Sequence, residues 1–492
     1  MRKISMSYIV LCVVTVLVGF PSWAVTFEHK TPHQMKMFDN AVDGFVERLK
    51  LIDSAQHHIY LEYFMYSTHQ TTEIMTRKLV EKARQGVEVR LLVDAGPAME
   101  LNNFYTAYLK RHGIKVKYFN RGPKYNIFRL LHRDHRKILS VDGRTAMVGS
   151  RNVANEYFAS DPEYDFLDRD VVVTGPVVKD IEANMTDYWN NSISVEAYNP
   201  PPRPSYFKKE QLAMSPKMAD SYDDYVAHQK YLISKWDYWD NKAKNFIDTP
   251  KDFKELEKKY YQLAATIHHN VYTCPHVIYA TNAAGLNRHS PELPTFLRSM
   301  VKQAKEEVIL ETPYFIAKRR ERALFQELVD KKVEVMLLTN SLRSTDLWYV
   351  AAVFDHQIHL FTAGGAKAFI YLGNPLKDEV DMVDAESDKK VIWGIHAKSF
   401  VIDRRISIIG SYNLDPHSKN YNNELVLACL DNPQMAQDLS KSIHKRIHQA
   451  VKLDVGGKPV QGANKLWRNT PASKKKWYHL LLFPAQIFDF LL

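Results

Sequence analysis

Two copies of one histidine–lysine pattern are the residues in this chain with the clearest capacity for chemistry. The first copy begins at His135 and the second at His396, and both follow H-x-K-x4-D-x6-G-S-x-N with the same spacing over eighteen residues. A lone H-x-K arises often by chance, but every further fixed position makes a coincidental repeat rarer. The repeat therefore indicates one site built from two similar halves.

The residue types in each copy suit displacement at a phosphodiester. One imidazole can attack phosphorus, while the other protonates the leaving alkoxide and later activates the incoming hydroxyl. Lysine and asparagine can hold the non-bridging oxygens as charge develops, and two lysines can supply the charge that a metal often would, so we expect no metal and no cofactor. The catalytic candidates are His135, Lys137, Asp142, Asn152, His396, Lys398, Asp403 and Asn413, and the phosphate-binding candidates are Ser150 and Ser411.

For the two motif aspartates, a structural role competes with a catalytic one. Asp142 and Asp403 each follow an apolar run that reads as a strand, which places them at strand ends. The alternative for the whole block is two ordinary strands with polar ends. It is disfavoured because both copies are intact.

These motifs resemble the phospholipase D superfamily, whose members carry two H-x-K-x4-D motifs, and within it they are most similar to bacterial cardiolipin synthases, particularly the C type. The resemblance runs from about residue 57 to 430. It is supported by residues 86–94, 170–178, 338–342 and 410–416.

The resemblance implies a covalent phosphohistidine intermediate, with His135 as the nucleophile and His396 as the acid/base. The two motifs are alike, so they do not themselves show which histidine attacks. The resemblance also implies a carboxylate that orients each histidine ring. Asp170 and Glu424 fit this role because each precedes an apolar strand downstream of a motif, and Asp168 is a rival for the first position.

The elements that must position these residues are also duplicated. A strand at 59–64, a helix at 71–85 and a strand at 87–93 recur as 308–311, 320–330 and 333–338, and a further helical segment is predicted near 33–55. Apolar strands that alternate with helices predict an α/β fold. We expect two similar lobes, each a mixed, largely parallel sheet flanked by helices, that form a pseudo-dimer with one interlobe active site.

Composition and proline-rich breaks divide the chain into five parts. We predict a signal peptide at 1–24, an N-terminal lobe at 25–198, a linker and helical insertion at 199–290 after a proline-rich junction, a C-terminal lobe at 291–450, and a basic and apolar tail at 451–492. A loop that could cover the site is predicted within 362–390. After cleavage only Cys274 and Cys429 remain, and they could form one disulfide.

The charge of the chain favours an anionic partner. The formal net charge is +10, and the tail places Lys474, Lys475 and Lys476 directly before Trp477 and an apolar run. Such a segment suits the surface of a membrane, although docking on the core is an alternative. We expect an exported protein, monomeric and peripheral or anchored at a membrane, with the N-terminal segment either cleaved or retained as an anchor.

The activity expected from the resemblance is phosphatidyl transfer that makes cardiolipin from phosphatidylglycerol and a second phospholipid. Hydrolysis to phosphatidic acid uses the same catalytic residues and stays open as an alternative. A nuclease acting at the same site is a third possibility. It is less favoured because a long, duplicated chain with an apolar and basic tail points to a lipid substrate. A non-catalytic membrane-binding protein is disfavoured because both motifs are intact.

Overall fold

A computed structural model describes residues 25–97, 101–122, 131–205, 222–248, 253–286, 292–376, 391–461 and 470–481. The predicted signal peptide lies outside the described residues. So do residues 377–390 of the loop predicted before His396 and residues 482–492 of the tail.

The strands form two large sheets and one two-stranded ribbon. In chain order they are β1 (Val25–His29), β2 (His33–Phe38), β3 (His58–Tyr63), β4 (Glu88–Asp94), β5 (Ile114–Phe119), β6 (Lys137–Val141), β7 (Thr145–Gly149), β8 (Tyr164–Leu167), β9 (Asp170–Thr174), β10 (Ser194–Glu196), β11 (Tyr272–Cys274), β12 (His276–Thr281), β13 (Glu307–Glu311), β14 (Glu334–Asn340), β15 (Lys367–Tyr371), β16 (Ile392–Ile395), β17 (Ser399–Ile402), β18 (Ile406–Gly410), β19 (Leu425–Leu430) and β20 (Ala450–Lys452).

Helices cover the sheets and fill the connection between the lobes. They are α1 (Ala41–Ser54), α2 (Gln70–Arg84), α3 (Asn103–Arg111), α4 (Val177–Asn190), α5 (Tyr222–Ile247), α6 (Lys254–Ala264), α7 (Glu292–Lys302), α8 (Arg319–Asp330), α9 (Trp348–Thr362), α10 (Pro416–Asn420), α11 (Pro433–Ile447) and α12 (Ala472–Leu481). No helix in the described ranges is long and apolar enough to cross a membrane.

The two large sheets have matching architectures. The first has the order β10-β5-β4-β3-β6-β7-β9-β2-β11. The second, given from its corresponding edge, has the order β20-β15-β14-β13-β17-β18-β19-β12-β1. The mixed α/β class with two similar lobes is confirmed. The sheets are, however, less parallel than predicted, because only β3-β4-β5 and β13-β14-β15 run parallel, and the motif hairpins and the strands beyond them pair antiparallel.

The lobes exchange strands near the predicted lobe boundaries. β1 joins the second sheet through β12, whereas β2 joins the first sheet and pairs with β11 from the segment predicted as an insertion. The helix predicted over 33–55 is therefore wrong in its first part, which forms β2 before α1 begins. At the start of β2, buried His33 and Met35 flank exposed Gln34, which is the period of two that a strand gives.

A disulfide joins the two lobes at this exchange. Cys274 on β11 of the first sheet is bonded to Cys429 on β19 of the second sheet, and both residues are buried. The bond links residues that are 155 positions apart in the chain. It therefore ties one lobe covalently to the other.

Candidate active site

The two motifs fold into equivalent hairpins, β6–β7 and β17–β18. In each hairpin the motif glycine lies so close to the next strand that no side chain would fit. A Cβ at Gly149 would lie 2.5 Å from the carbonyl oxygen of Arg169, and one at Gly410 would lie 2.8 Å from Cα of Val426. The glycines thus let β9 and β19 pack against the motifs, and residues just before those strands reach the site.

Each motif histidine is oriented by a carboxylate from the opposite lobe. Nδ1 of His135 donates to Glu424 at 3.0 Å, and Glu424 immediately precedes β19 of the second sheet. Nδ1 of His396 donates to the carboxylate of Asp168, whose two oxygens lie 3.0 and 3.1 Å away. Asp168 lies between β8 and β9 in the first lobe. With the proton held on Nδ1, Nε2 of each neutral ring is able to attack or to accept a proton.

The backbone enforces this crossed arrangement. The backbone N–H of His135 donates to the carbonyl oxygen of Asn423 at 2.9 Å, and that of His396 donates to the carbonyl oxygen of Leu167 at 2.8 Å. In both cases the acceptor directly precedes the orienting carboxylate. A parallel pairing of β8 with β16 fixes the second contact, so the two lobes meet at the histidines themselves.

Asp170 does not orient a histidine, and that prediction is wrong. Its buried carboxylate pairs with Arg48 at 3.0 Å and with Arg151 at 2.7 Å. Its rival Asp168 occupies the orienting position. Asp170 therefore neutralises buried guanidinium groups in the first lobe.

The register of the sheets explains the error. Asp170 lies opposite the motif glycine of β7, and its equivalent opposite the motif glycine of β18 is Val426. The residues two positions earlier are Asp168 and Glu424, and these are the pair that reaches the site. The sequence shows no such equivalence, because it depends on pairing between strands.

The motif serines support the orienting carboxylates, which contradicts their prediction as phosphate-binding residues. The hydroxyl of Ser150 donates to Asp168 and that of Ser411 donates to Glu424. Each serine oxygen also accepts a backbone N–H, from Arg169 at 3.2 Å and from Leu425 at 3.1 Å respectively. Both serines are fully buried, so their single protons are already used.

The motif aspartates lie at the far ends of the motif strands and not at the site. Asp142 accepts the backbone N–H groups of residues 56–58 at 2.7–2.8 Å, and Asp403 accepts those of residues 305–307 at 2.8–3.1 Å. Both have positive φ, 54° and 51°, in the left-handed region that aspartate tolerates better than most residues. Their prediction as catalytic residues is not supported; each ties the hairpin turn to the start of the neighbouring strand.

The two motif lysines share the buried site with the histidines. Burial lowers the pKa of Lys137 to about 7 and that of Lys398 to about 8. Burial also lowers the pKa of His135 to about 4 and that of His396 to about 3, although the paired carboxylates act in the opposite direction. Both imidazoles are therefore neutral at pH 7 before substrate arrives.

The carboxylates remain ionised despite their burial. Burial by itself would raise the pKa of Asp168 and of Glu424, but the adjacent histidines and lysines outweigh it and hold both pKa values below the ordinary range. With both lysines protonated, both carboxylates ionised and both imidazoles neutral, the charges of these six groups sum to zero. An anionic phosphodiester that enters would leave them one negative charge in excess. At pH 7 Lys137 is only about half protonated, because its pKa is about 7.

The two motif asparagines differ in their surroundings. Asn152 accepts the backbone N–H of Met65 at 3.3 Å and donates to the hydroxyl of Tyr157 at 2.9 Å. Asn413 is also buried, but its Oδ1 accepts no hydrogen bond from any residue within the described ranges. A phosphoryl oxygen accepts hydrogen bonds, so Asn413 would bind one through its Nδ2 amide group and not through this oxygen.

Aromatic rings pack against both histidines, which the sequence did not indicate. The ring of Phe64 lies 4.8 Å from that of His135, and the rings of Phe166 and Tyr157 lie 4.9 and 5.3 Å from that of His396. These rings fix the imidazole planes and desolvate them. Phe64 is the last residue of the strand predicted at 59–64, and the structure places it directly after β3.

Glu62 and Glu311, which occupy matching positions in the two sheets, are buried in ion pairs. Glu62 binds Arg136, and Glu311 binds Arg169 and Arg446. Neither carboxylate lines the rim of the site. In the ranges that the structure describes, no group of three or more His, Cys, Asp or Glu side chains could hold a metal ion.

Comparisons with known proteins agree with this geometry. The family model described as cardiolipin synthase, PLD-like domain, matches residues 49–189 and 297–447. Cardiolipin synthase C of Escherichia coli K12 is 25% identical over 456 residues, covering 87% of this chain and 88% of that protein. An uncharacterised protein of Helicobacter pylori J99 is 24% identical over 436 residues, covering 85% and 80% respectively.

A solved structure shows the same fold at low identity. The crystal structure of phosphatidylserine synthase from Haemophilus influenzae superposes with a TM-score of 0.61 at 13% identity, covering 94% of this chain and 97% of that one. The family match spans more than half of the chain and includes both motifs. The chain therefore belongs to the cardiolipin synthase family of phospholipase D-like proteins and is an enzyme of the phosphatidyltransferase and phosphodiesterase kind.

Proposed function

We propose that this enzyme transfers a phosphatidyl group from phosphatidylglycerol to the hydroxyl of a second phospholipid, which makes cardiolipin, through a phosphohistidine intermediate. The observation that carries the proposal is the crossed pair of buried histidines, each held at Nδ1 by a carboxylate of the other lobe. Two bases of this kind are what a double displacement needs, because the nucleophile and the proton donor must be separate groups.

The first step breaks the bond between phosphorus and the glycerol headgroup. Nε2 of His135 attacks phosphorus and forms the N–P bond. His396 is neutral in the free site, takes up a proton from solvent on Nε2 when the anionic phosphodiester binds, and gives that proton to the departing glycerol oxygen. Lys137 and Lys398 hold the non-bridging oxygens, and their effect is strong because the site is buried. The assignment of His135 as the nucleophile rests on the family resemblance.

The second step reverses the roles. His396, now neutral, takes the proton of the acceptor hydroxyl, whose oxygen attacks phosphorus, and the N–P bond to His135 breaks. A phospholipid alcohol as acceptor gives cardiolipin, and water gives phosphatidic acid. The relatives named cardiolipin synthase favour the first outcome.

Product analysis tests the proposal. The protein would be incubated with mixed vesicles of phosphatidylglycerol and phosphatidylethanolamine without divalent metal, and the lipids would be resolved by mass spectrometry. We expect cardiolipin from the unaltered protein and none from His135→Ala or His396→Ala, whereas His448→Ala, an exposed histidine outside the site, should behave as wild type. Phosphatidic acid alone would replace transfer with hydrolysis, and the absence of any lipid product would remove the proposal.

We also propose that the protein works after export, as a monomer with an internal pseudo-dimer. The buried disulfide between Cys274 and Cys429 supports export, because such bonds persist mainly in oxidising compartments. Alkaline phosphatase fused after residue 461 should be active in whole cells. An inactive fusion would contradict export.

A further inference from the structure

Among the described residues, two side chains on one face of the helix α12 donate hydrogen bonds to the rest of the protein. Tyr478 is 5% exposed, and its hydroxyl donates to Asp355 of α9 at 2.6 Å. One turn earlier, Lys474 donates to the carbonyl oxygens of Arg343 at 3.2 Å and of Thr345 at 2.5 Å. Residues at positions i and i+4 share a helix face, so these contacts define the inner side of α12.

The other side of α12 is aromatic, aliphatic and basic. Trp477 is 48% exposed and Leu480 is 59% exposed, and Lys476 is exposed beside them. The ring of Trp477 lies 5.8 Å from that of Trp348, the first residue of α9, which itself contacts Tyr349. We call these residues, Trp348, Tyr349, Lys475, Lys476, Trp477 and Leu480, the α9–α12 surface.

This surface adjoins the active site. Lys474 lies 5.8 Å from the centre of the Tyr164 ring, and the hydroxyl of Tyr164 donates to the carbonyl oxygen of Ser344 just before α9. The ring of Tyr164 is 5.0 Å from that of Phe166, which in turn packs 4.9 Å from His396. Three side chains in contact thus lead from the inner face of α12 to the second motif.

We propose that the α9–α12 surface docks on an anionic phospholipid bilayer and turns the His396 side of the active site towards it. The proposal rests on the proposed function, because a lipid substrate must leave a bilayer to reach the buried histidines. Tryptophan and tyrosine beside lysines match the boundary between headgroups and acyl chains, where the rings enter and the ammonium groups meet lipid phosphates. The Lys475 and Lys476 charges complement phosphatidylglycerol, and docking through one exposed helix face does not require the helix to leave the protein.

Vesicle sedimentation of the full chain tests the docking. Wild type should bind vesicles of phosphatidylglycerol and phosphatidylcholine better than vesicles of phosphatidylcholine alone. Lys475→Glu/Lys476→Glu should weaken binding to the anionic vesicles by roughly 30-fold or more, since each basic residue near the surface contributes roughly fivefold. Trp477→Ser/Leu480→Ser should weaken binding to both kinds of vesicle by removing apolar anchors.

The chain offers a matched control on α5. This helix also carries exposed tyrosines, Tyr231 and Tyr238, each with a lysine near its ring, Lys235 and Lys242. Tyr231→Ser/Tyr238→Ser and Lys235→Glu/Lys242→Glu change the same residue classes on another surface, so they should leave vesicle binding unchanged. Equal loss from the α5 and α12 variants, or wild-type binding by the α12 variants, would overturn the proposal.

A second readout separates docking from catalysis. With a monomeric short-chain phosphatidylglycerol as substrate, the α12 variants should turn over at the wild-type rate, and they should be slow only on vesicles. Vesicle binding that depends on α12 without any phosphatidyl product would sink the proposed function and leave the docking surface standing. Product formation on vesicles that is insensitive to the α12 variants would overturn the docking surface and leave the proposed function standing.

Discussion

Replacement of Asp168 by asparagine should slow phosphatidyl transfer by about a thousandfold, whereas the same change at Asp170 should not. Asp168 faces Nδ1 of His396 at 3.0 and 3.1 Å, with both groups buried. When His396 carries a proton, the imidazolium and the carboxylate form an ion pair whose charge centres are about 4 Å apart, worth about 4 kcal/mol in a partly screened interior. Because each 1.36 kcal/mol corresponds to a factor of ten in rate, removal of the charge costs about three powers of ten.

Asp170→Asn is the matched control, because it removes a carboxylate that is equally buried and only two residues away. It leaves Arg48 and Arg151 without their shared carboxylate, and breaking a buried pair costs about 3 to 5 kcal/mol of unfolding free energy. We therefore expect a lower denaturation midpoint for Asp170→Asn but a kcat per folded molecule within a few-fold of wild type. Asp168→Asn should show the opposite pattern, with a large kcat loss and a smaller change in stability.

The assay is steady-state transfer on saturating phosphatidylglycerol, with kcat normalised to the folded fraction from circular dichroism. A kcat for Asp168→Asn within tenfold of wild type would refute the crossed orientation of His396. A large kcat loss for Asp170→Asn at an unchanged denaturation midpoint would refute the correction made from the structure.

Further predictions concern the charges of the site and the disulfide between the lobes. Lys137→Met should abolish transfer yet raise the unfolding free energy at pH 7 by about 1 to 3 kcal/mol in urea titrations, since burial holds the pKa of Lys137 near 7, below its ordinary 10.5. For the same reason, the contribution of Lys137 to the unfolding free energy of wild type should rise as pH increases from about 7 to 10.5. Over the same range kcat/KM should fall, because a neutral lysine no longer holds the phosphoryl oxygens. Parallel trends in the unfolding free energy and kcat/KM would contradict this. Binding of a non-hydrolysable phosphodiester should take up roughly one to two protons at pH 7, because the bound anion completes the protonation of Lys137 and favours the protonated form of His396. Calorimetry in buffers of different ionisation enthalpy measures this uptake, and no dependence on the buffer would exclude the coupling. Cys274→Ala/Cys429→Ala should lower the unfolding free energy by roughly 2 to 5 kcal/mol in urea titrations, since the disulfide closes a loop of 155 residues. A variant as stable as wild type would show that the disulfide does not stabilise the fold.

The local parts of the site were predictable because they depend on spacing within one hairpin. His135, Lys137, His396 and Lys398 converge as expected, since a strand with period two places the first and third residues of each motif on one face. The duplicated strand–helix–strand units were predictable for the same reason, because their apolar runs and helix ends are continuous in the chain. Here the prediction required no contact between distant segments.

The parts that depend on pairing between distant strands were not predictable. Whether Asp168 or Asp170 reaches a histidine is decided by the register of β9 on β7, and a shift of two residues exchanges their roles. The exchange of β1 and β11 between the lobes depends on partners more than 200 residues away, so the sequence favoured a simple linear division. The serines were predicted to bind phosphate, and only the structure shows that their hydroxyls are already bonded to carboxylates.

The crossed carboxylates make the docking of the lobes a condition for catalysis. If the lobes separated, His135 would lose Glu424 and His396 would lose Asp168 at the same time, so neither half could keep an oriented base. The contact of Arg169 with Glu311 and the disulfide both cross the same seam and oppose such a separation. Because Arg169 directly follows Asp168, its anchoring in the second lobe also fixes the carboxylate that holds His396. A single-lobe fragment should for this reason be inactive even when it folds, and activity should return only when both lobes are present together.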